Sequence, residues 1–109
     1  MREAVAFFLT RCDGVAAGCG GVQLYGDEYA EVKRMYVRPA FRGIGLGRSM
    51  LSHLTDYARQ NGAAALRLET GIYEGAAIGL YESFGFRRRA PFGAYRKDPF
   101  SLCFEKALA

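Results

Sequence analysis

Several absences narrow this sequence before any motif is read. No apolar run approaches bilayer-spanning length, and the N-terminus lacks the charged, then apolar, then small pattern of a secretory leader, so the expected compartment is the cytoplasm. Cys12, Cys19 and Cys103 are an odd, widely spaced set with no Cys-x-x-Cys pair. That supports neither a disulfide framework nor a zinc knuckle; no metal site is expected, and the three are read as small core or edge residues. No repeat or low-complexity segment appears, and the 109 residues are read as a single domain, 1–109. Dense basic charge is also scarce. The net charge is +4, and Arg87-Arg88-Arg89 is the one tight run, without the interleaved aromatics that stack on bases. The triplet reads as a solvated strand or turn and nucleic acid is not the expected partner, whereas the small basic excess suits an anionic small molecule.

What is present has a clear order. Ala4 to Thr10 is rich in strand formers and apolar on both parities, the pattern of a strand covered on both faces. Asp13-Gly14 marks a hairpin turn, Val15 to Leu24 a second strand full of small residues, Gly26-Asp27 another turn, and Tyr29 to Val37 a third strand. The glycines of the second strand read as close-packing or bulge positions. Gly47, Met50, Leu51, Leu54 and Ala58 then fall on one helical face, with Ser49, Ser52, His53, Asp56 and Arg59 opposite and Gly62 as the stop. Ala65 to Thr70 is a strand placed parallel to the third by the crossover helix. A helix from Glu74 to Phe84 follows, with Ala77, Leu80, Tyr81 and Phe84 on its buried stripe and Gly85 at its end. Phe86 to Arg89 and Ser101 to Lys106 are the last strands, joined by a loop holding Pro91, Gly93 and Pro99. The fold class is therefore α/β (α+β): a mixed, mostly antiparallel sheet with a central parallel pair, flanked by helices.

The stretch from Met35 to Arg48 runs from strand through turn into helix. Alternating glycines at a helix start expose backbone N–H groups where the helix dipole favours negative charge, and Arg42 and Arg48 bracket them. A phosphate or pyrophosphate is the expected ligand. A dinucleotide fingerprint needs a third glycine, but Arg48 stands there counting from Gly43 and Met50 counting from Gly45. A P-loop needs Gly-Lys-Ser/Thr, and none of the three lysines follows a glycine. What remains is Arg42-x-x-Gly45-x-Gly47 after Met35-Tyr36-Val37-Arg38-Pro39.

This resembles the acetyl-CoA signature of the GCN5-related N-acetyltransferase (GNAT) superfamily. Leu68-Glu69-Thr70 followed by Leu80-Tyr81-Glu82-Ser83-Phe84-Gly85-Phe86 is similar to the family's second motif. The tail from Asp98 to Leu108 is similar to its closing strand. The resemblance implies the family's acyltransferase fold without its first strand and first two helices, which usually wall the acceptor groove. It implies an enzyme that transfers acetyl from acetyl-CoA to the primary amine of a small molecule or peptide, by direct attack in a ternary complex. The alternative is an acyl-CoA-binding or regulatory module with little catalysis, suggested by that short start and by Glu74 standing where many members have an Asn on the pantetheine arm.

By the same resemblance Val37 offers its backbone N–H to the thioester carbonyl and Met35 holds the pantetheine. Arg42, Gly43, Ile44, Gly45, Leu46, Gly47 and Arg48 cradle the pyrophosphate, and the Tyr81 hydroxyl protonates the leaving sulfur. Glu69 or Glu31 matches the general base, each also readable as a solvated strand residue or an arginine partner. An unpaired edge at Ala4 to Thr10 implies a homodimer, or strand exchange through the C-terminal hairpin, to cover it.

Overall fold

The computed structural model describes residues 5–108. The chain runs β1 (Val5–Cys12), β2 (Val15–Tyr25), β3 (Tyr29–Val37), α1 (Leu46–Gln60), β4 (Ala65–Gly71), α2 (Gly75–Ser83), β5 (Arg87–Arg89) and β6 (Ser101–Ala107). Short 3-10 turns at Pro39–Phe41 and Gly93–Lys97 punctuate it. Ala4, the expected start of the first strand, lies outside the described residues. Asp13 and Gly14 both take positive φ, 50° and 79°, the primed turn whose twist matches the two strands it joins.

The strands form one sheet in the order β1-β2-β3-β4-β6-β5. Every neighbouring pair is antiparallel except β3 and β4, which is the mixed sheet with a central parallel pair that the element order implies. The parallel ladder is short: Ala30 pairs with Leu66 and Glu31 with Arg67. Past Glu31 the two strands part, and the gap between them is where the site lies.

On one face of the sheet, α1 buries Met50, Leu51, Leu54, Thr55 and Ala58 against Val22, Ala30, Val32, Leu66, Leu68 and Phe104. Thr55 tolerates this apolar stripe because its hydroxyl donates to Leu51 O at 2.7 Å. Ser49, Ser52, His53, Asp56 and Arg59 are exposed, as their helical phase requires. The small residues of β2 let α1 and β3 come close. A Cβ on Gly18 would stand 2.5 Å from Tyr36 O, and one on Gly20 would stand 3.1 Å from both Leu54 and Met50.

Three expectations are corrected. β1 is an edge strand with one open face: Phe7 and Leu9 are 58% and 56% exposed, while Phe8 packs inward against the His53 and Tyr57 rings. An edge strand has only β2 beside it, and α1 covers only one side of it. In α2 only Tyr81 is buried; Ala77, Leu80 and, just past its end, Phe84 are half-buried, packed against the core on one side while Ala77 and Leu80 line a cavity on the other. The segment between β5 and β6 is not a plain loop. It buries Phe92 and folds onto the sheet face opposite α1, where Arg67 lies 4.0 Å from the Tyr29 ring centroid and 5.3 Å from that of Phe92.

Candidate functional site

A cavity of about 790 Å³ opens where β3 and β4 separate. Met35 and Val37 line it from β3; Arg42, Gly43, Gly45, Leu46, Gly47 and Arg48 from the glycine turn and the start of α1; and Tyr81 from α2. Eight residues from 35–48 and Tyr81, distant in the chain, are thus brought to one surface. Ile44, expected among them, points away from the lining and is 62% exposed.

The turn is built to leave amides bare. Gly43 and Gly45 have φ of 83° and 85°, which a side chain would strain, and Gly45 is the residue that opens α1. The first backbone bond into the helix runs from Ser49 N to Gly45 O at 3.1 Å, so the amides ahead of it have no helical acceptor. No acidic residue stands in that first turn, and no side chain caps it. Arg42 Nε donates to Val37 O at 2.8 Å, and Arg48 Nη1 donates to Ser83 Oγ at 2.8 Å. Both guanidinium groups are thereby fixed beside the bare amides. The donor set, neutral N–H groups plus two cations, suits a pyrophosphate.

β3 reaches the cavity through a bulge. Between the pairs Gly21–Lys33 and Cys19–Tyr36 it carries one residue more than β2 does, and Arg34 takes the positive φ of 50° that accommodates it. The bulge leaves Met35 without a partner on β2, and Tyr36 and Val37 resume the ladder against Cys19 and Gly18 beside the gap.

Tyr81 stands on the α2 side of the same space. Its ring contacts Phe86 and Phe104, while its hydroxyl makes no hydrogen bond among the described residues. No buried side-chain N or O atom is left unpaired there, so the hydroxyl keeps an open side. Burial first, then the charges of Glu69 and Glu74, push its pKa up, and the phenol holds its proton through the neutral range.

The two glutamates lie outside the cavity lining, on the opposite sheet face. Glu31 is buried, and its Oε2 accepts from Tyr95 at 2.7 Å and lies 3.2 Å from Lys33 Nζ. Glu69 is half-buried on β4, the strand that leads into α2 and Tyr81, and accepts from Ser101 Oγ at 2.6 Å. Tyr95, Ser101 and Lys33 were not among the residues expected at the site. Nothing local in the sequence marks the first two, since they reach the glutamates across 64 and 32 residues.

Residues 1–86 match the acetyltransferase (GNAT) family. An IAA acetyltransferase of Azospirillum brasilense is 45% identical over 108 residues, which make up 98% of this chain and 71% of that protein. A crystal structure of a Klebsiella pneumoniae protein assigned as an acyl-CoA N-acyltransferase is 42% identical, with a TM-score of 0.91 over 96% of this chain and 73% of that one. The acetyltransferase yncA of Salmonella typhimurium, solved with acetyl-CoA, is 27% identical with a TM-score of 0.76, covering 94% of this chain and 64% of its own.

Proposed function

This chain belongs to the acetyltransferase (GNAT) family, and we propose that it moves the acetyl group of acetyl-CoA onto a primary amine held beside the thioester in a ternary complex. The observation that carries this reading is the single cavity with bare helix-start amides at one end and the Tyr81 hydroxyl at the other. Residues 1–109 act as one catalytic unit.

The amides from Arg42 to Arg48, with the two guanidinium groups, hold the pyrophosphate, and Met35 holds the pantetheine through its main chain. Val37 N–H donates to the thioester carbonyl oxygen as negative charge builds on it. The amine nitrogen bonds to the acetyl carbon, the carbon–sulfur bond breaks, and Tyr81 gives its proton to the departing thiolate. Glu69 takes the proton that the amine loses, through water. It is preferred over Glu31, whose Oε2 is already engaged by Tyr95 and Lys33. In this reading the protein works in the cytoplasm as a homodimer, its second copy covering the apolar edge at Phe7 and Leu9 of β1.

Calorimetric titration with acetyl-CoA tests the reading, followed by thiol release against a panel of amines. Saturable binding with turnover is expected, and no binding at millimolar cofactor overturns the proposal. Glu74 favours a second reading, an acyl-CoA-binding module with little catalysis: it lines the cavity where many family members carry an Asn on the pantetheine arm. Binding without release of thiol from any amine selects that one.

A further inference from the structure

The triplet Arg87-Arg88-Arg89 takes no part in the reaction above, yet it borders a second cavity. This one measures about 370 Å³ and is lined by Arg87, Arg88, Arg89 and Lys106, with Glu105 as the carboxylate among them. Glu105 is already committed twice: its Oε2 accepts from Arg67 Nε at 2.7 Å and from Arg89 Nη1 at 3.1 Å. Burial alone would raise its pKa, but the hydrogen bond and charge of Arg67, then those of Arg89, carry the net shift down.

The other cations have spare capacity. Arg87 has no ion pair or hydrogen bond among the described residues, and Arg88 rests only over the Phe104 ring, 5.9 Å from its centroid. Lys106 Nζ donates to Phe84 O at 3.0 Å, which leaves two of its N–H groups for another acceptor. Gly85 is required by its φ of 96° just past the end of α2, and it leaves room for that ammonium, which a Cβ there would approach to 2.7 Å. Charged side chains on an edge strand also discourage pairing with other chains. That accounts for arginines pointing outward, but not for the free N–H groups of Lys106 lining the same pocket. The basin adjoins the cofactor cavity: Arg48 and Lys106 each lie 5.7 Å from the centroid of the Phe84 ring.

We propose that this basin is a second anion site whose ligand is a phosphate monoester. Two unpaired guanidinium groups and an ammonium line one pocket at the open edge of β5, where side chains from both sheet faces can curl in, and a phosphate dianion answers them with three oxygens and nearly two charges where a carboxylate has two oxygens and one. The phosphate comes either from the 3′-phosphate of coenzyme A bound next door or from a phosphate free of the cofactor. The first source rests on the function proposed above; the second does not.

The test compares the whole chain with the double variant Arg87→Gln, Arg88→Gln, whose positions are exposed and outside the reaction. Three titrations at fixed ionic strength use coenzyme A, dephospho-coenzyme A, and inorganic phosphate on protein saturated with dephospho-coenzyme A. If the cofactor supplies the group, the parent binds coenzyme A at least about tenfold more tightly than the dephospho form, and the variant loses that difference. If a free phosphate does, inorganic phosphate binds the parent and not the variant, and Glu105→Gln tightens it by removing the competing carboxylate. Parent and variant behaving alike in all three titrations overturns the proposal and leaves a charged edge only. Should neither form of coenzyme A bind, the function reading falls, and inorganic phosphate titrated on the unliganded parent and variant decides the basin: binding lost in the variant supports it, and equal binding overturns it.

Discussion

Tyr95 donates its hydroxyl hydrogen to Glu31 Oε2 at 2.7 Å, fastening the turn before β6 to the strand that leads into the cavity between β3 and β4. Glu31 is buried, so this bond and the Lys33 ammonium hold a carboxylate that water cannot reach freely.

Replacing Tyr95 with Phe should cost about 1.5–3 kcal/mol of unfolding free energy in urea, the range for a hydrogen bond to a charged group. The pH dependence has a definite sign. Burial, then the hydrogen bond and charge of Glu31, raise the Tyr95 pKa above 10.0. The native state therefore keeps a proton that the unfolded chain releases, and stability, complete below pH 10, falls as pH climbs past it. The Phe variant should show a shallower alkaline loss; identical slopes would count against the bond.

Tyr81→Phe should lower turnover by roughly 10²–10⁴-fold with acetyl-CoA affinity nearly unchanged, the loss expected for a general acid. Steady-state rates and calorimetry on the same preparation separate the two effects, and an unchanged rate dismisses the acid role.

Gly45→Ala meets nothing within 4 Å, so its cost is the backbone: φ of 85° is a conformation that disfavours L side chains by about 1–2 kcal/mol. The variant should melt lower and bind acetyl-CoA at least about tenfold more weakly, as expected for a phosphate held off the bare amides that would otherwise bond its charged oxygens. Full affinity in a folded variant would contradict the cradle.

Glu69→Gln should reduce turnover while leaving the melting temperature close to that of the parent. Glu31→Gln should do the reverse, lowering stability because Tyr95 and Lys33 lose their partner. Parallel pH–rate profiles and thermal melts of the two variants distinguish base from scaffold; interchanged phenotypes would move the base to Glu31.

Light scattering at rising protein concentration should show a dimer that Phe7→Lys dissolves. A clean monomer for the parent at high concentration would remove the second copy from β1.

Legibility in the sequence followed locality. The Asp13-Gly14 turn, the helical phase of Met50 to Ala58 and the glycine spacing at 43, 45 and 47 are short-range patterns, and each appears where expected. The openness of one face of β1 was not readable, because Val5 to Leu9 has the same composition whether the strand lies at the centre or the edge of a sheet. Phe92 and Tyr95 were missed for a related reason: in sequence they belong to a loop between prolines, and only the fold brings them onto Arg67 and Glu31. Ile44 was counted with its neighbours, but the positive φ of the glycines on either side turns it outward.

The two-pair seam between β3 and β4 has a mechanical meaning as well. Along that line the sheet is a pair of leaves, β1-β2-β3 and β4-β6-β5, held together more by side chains packed under α1 than by backbone. A ligand gripping Met35 on one leaf and reaching Tyr81 beside the other acts as a staple across the fold. Cut in the connection at residues 61–64, the chain would become two complementary fragments, and the strength of their reassembly would read out cofactor binding without any chemistry taking place.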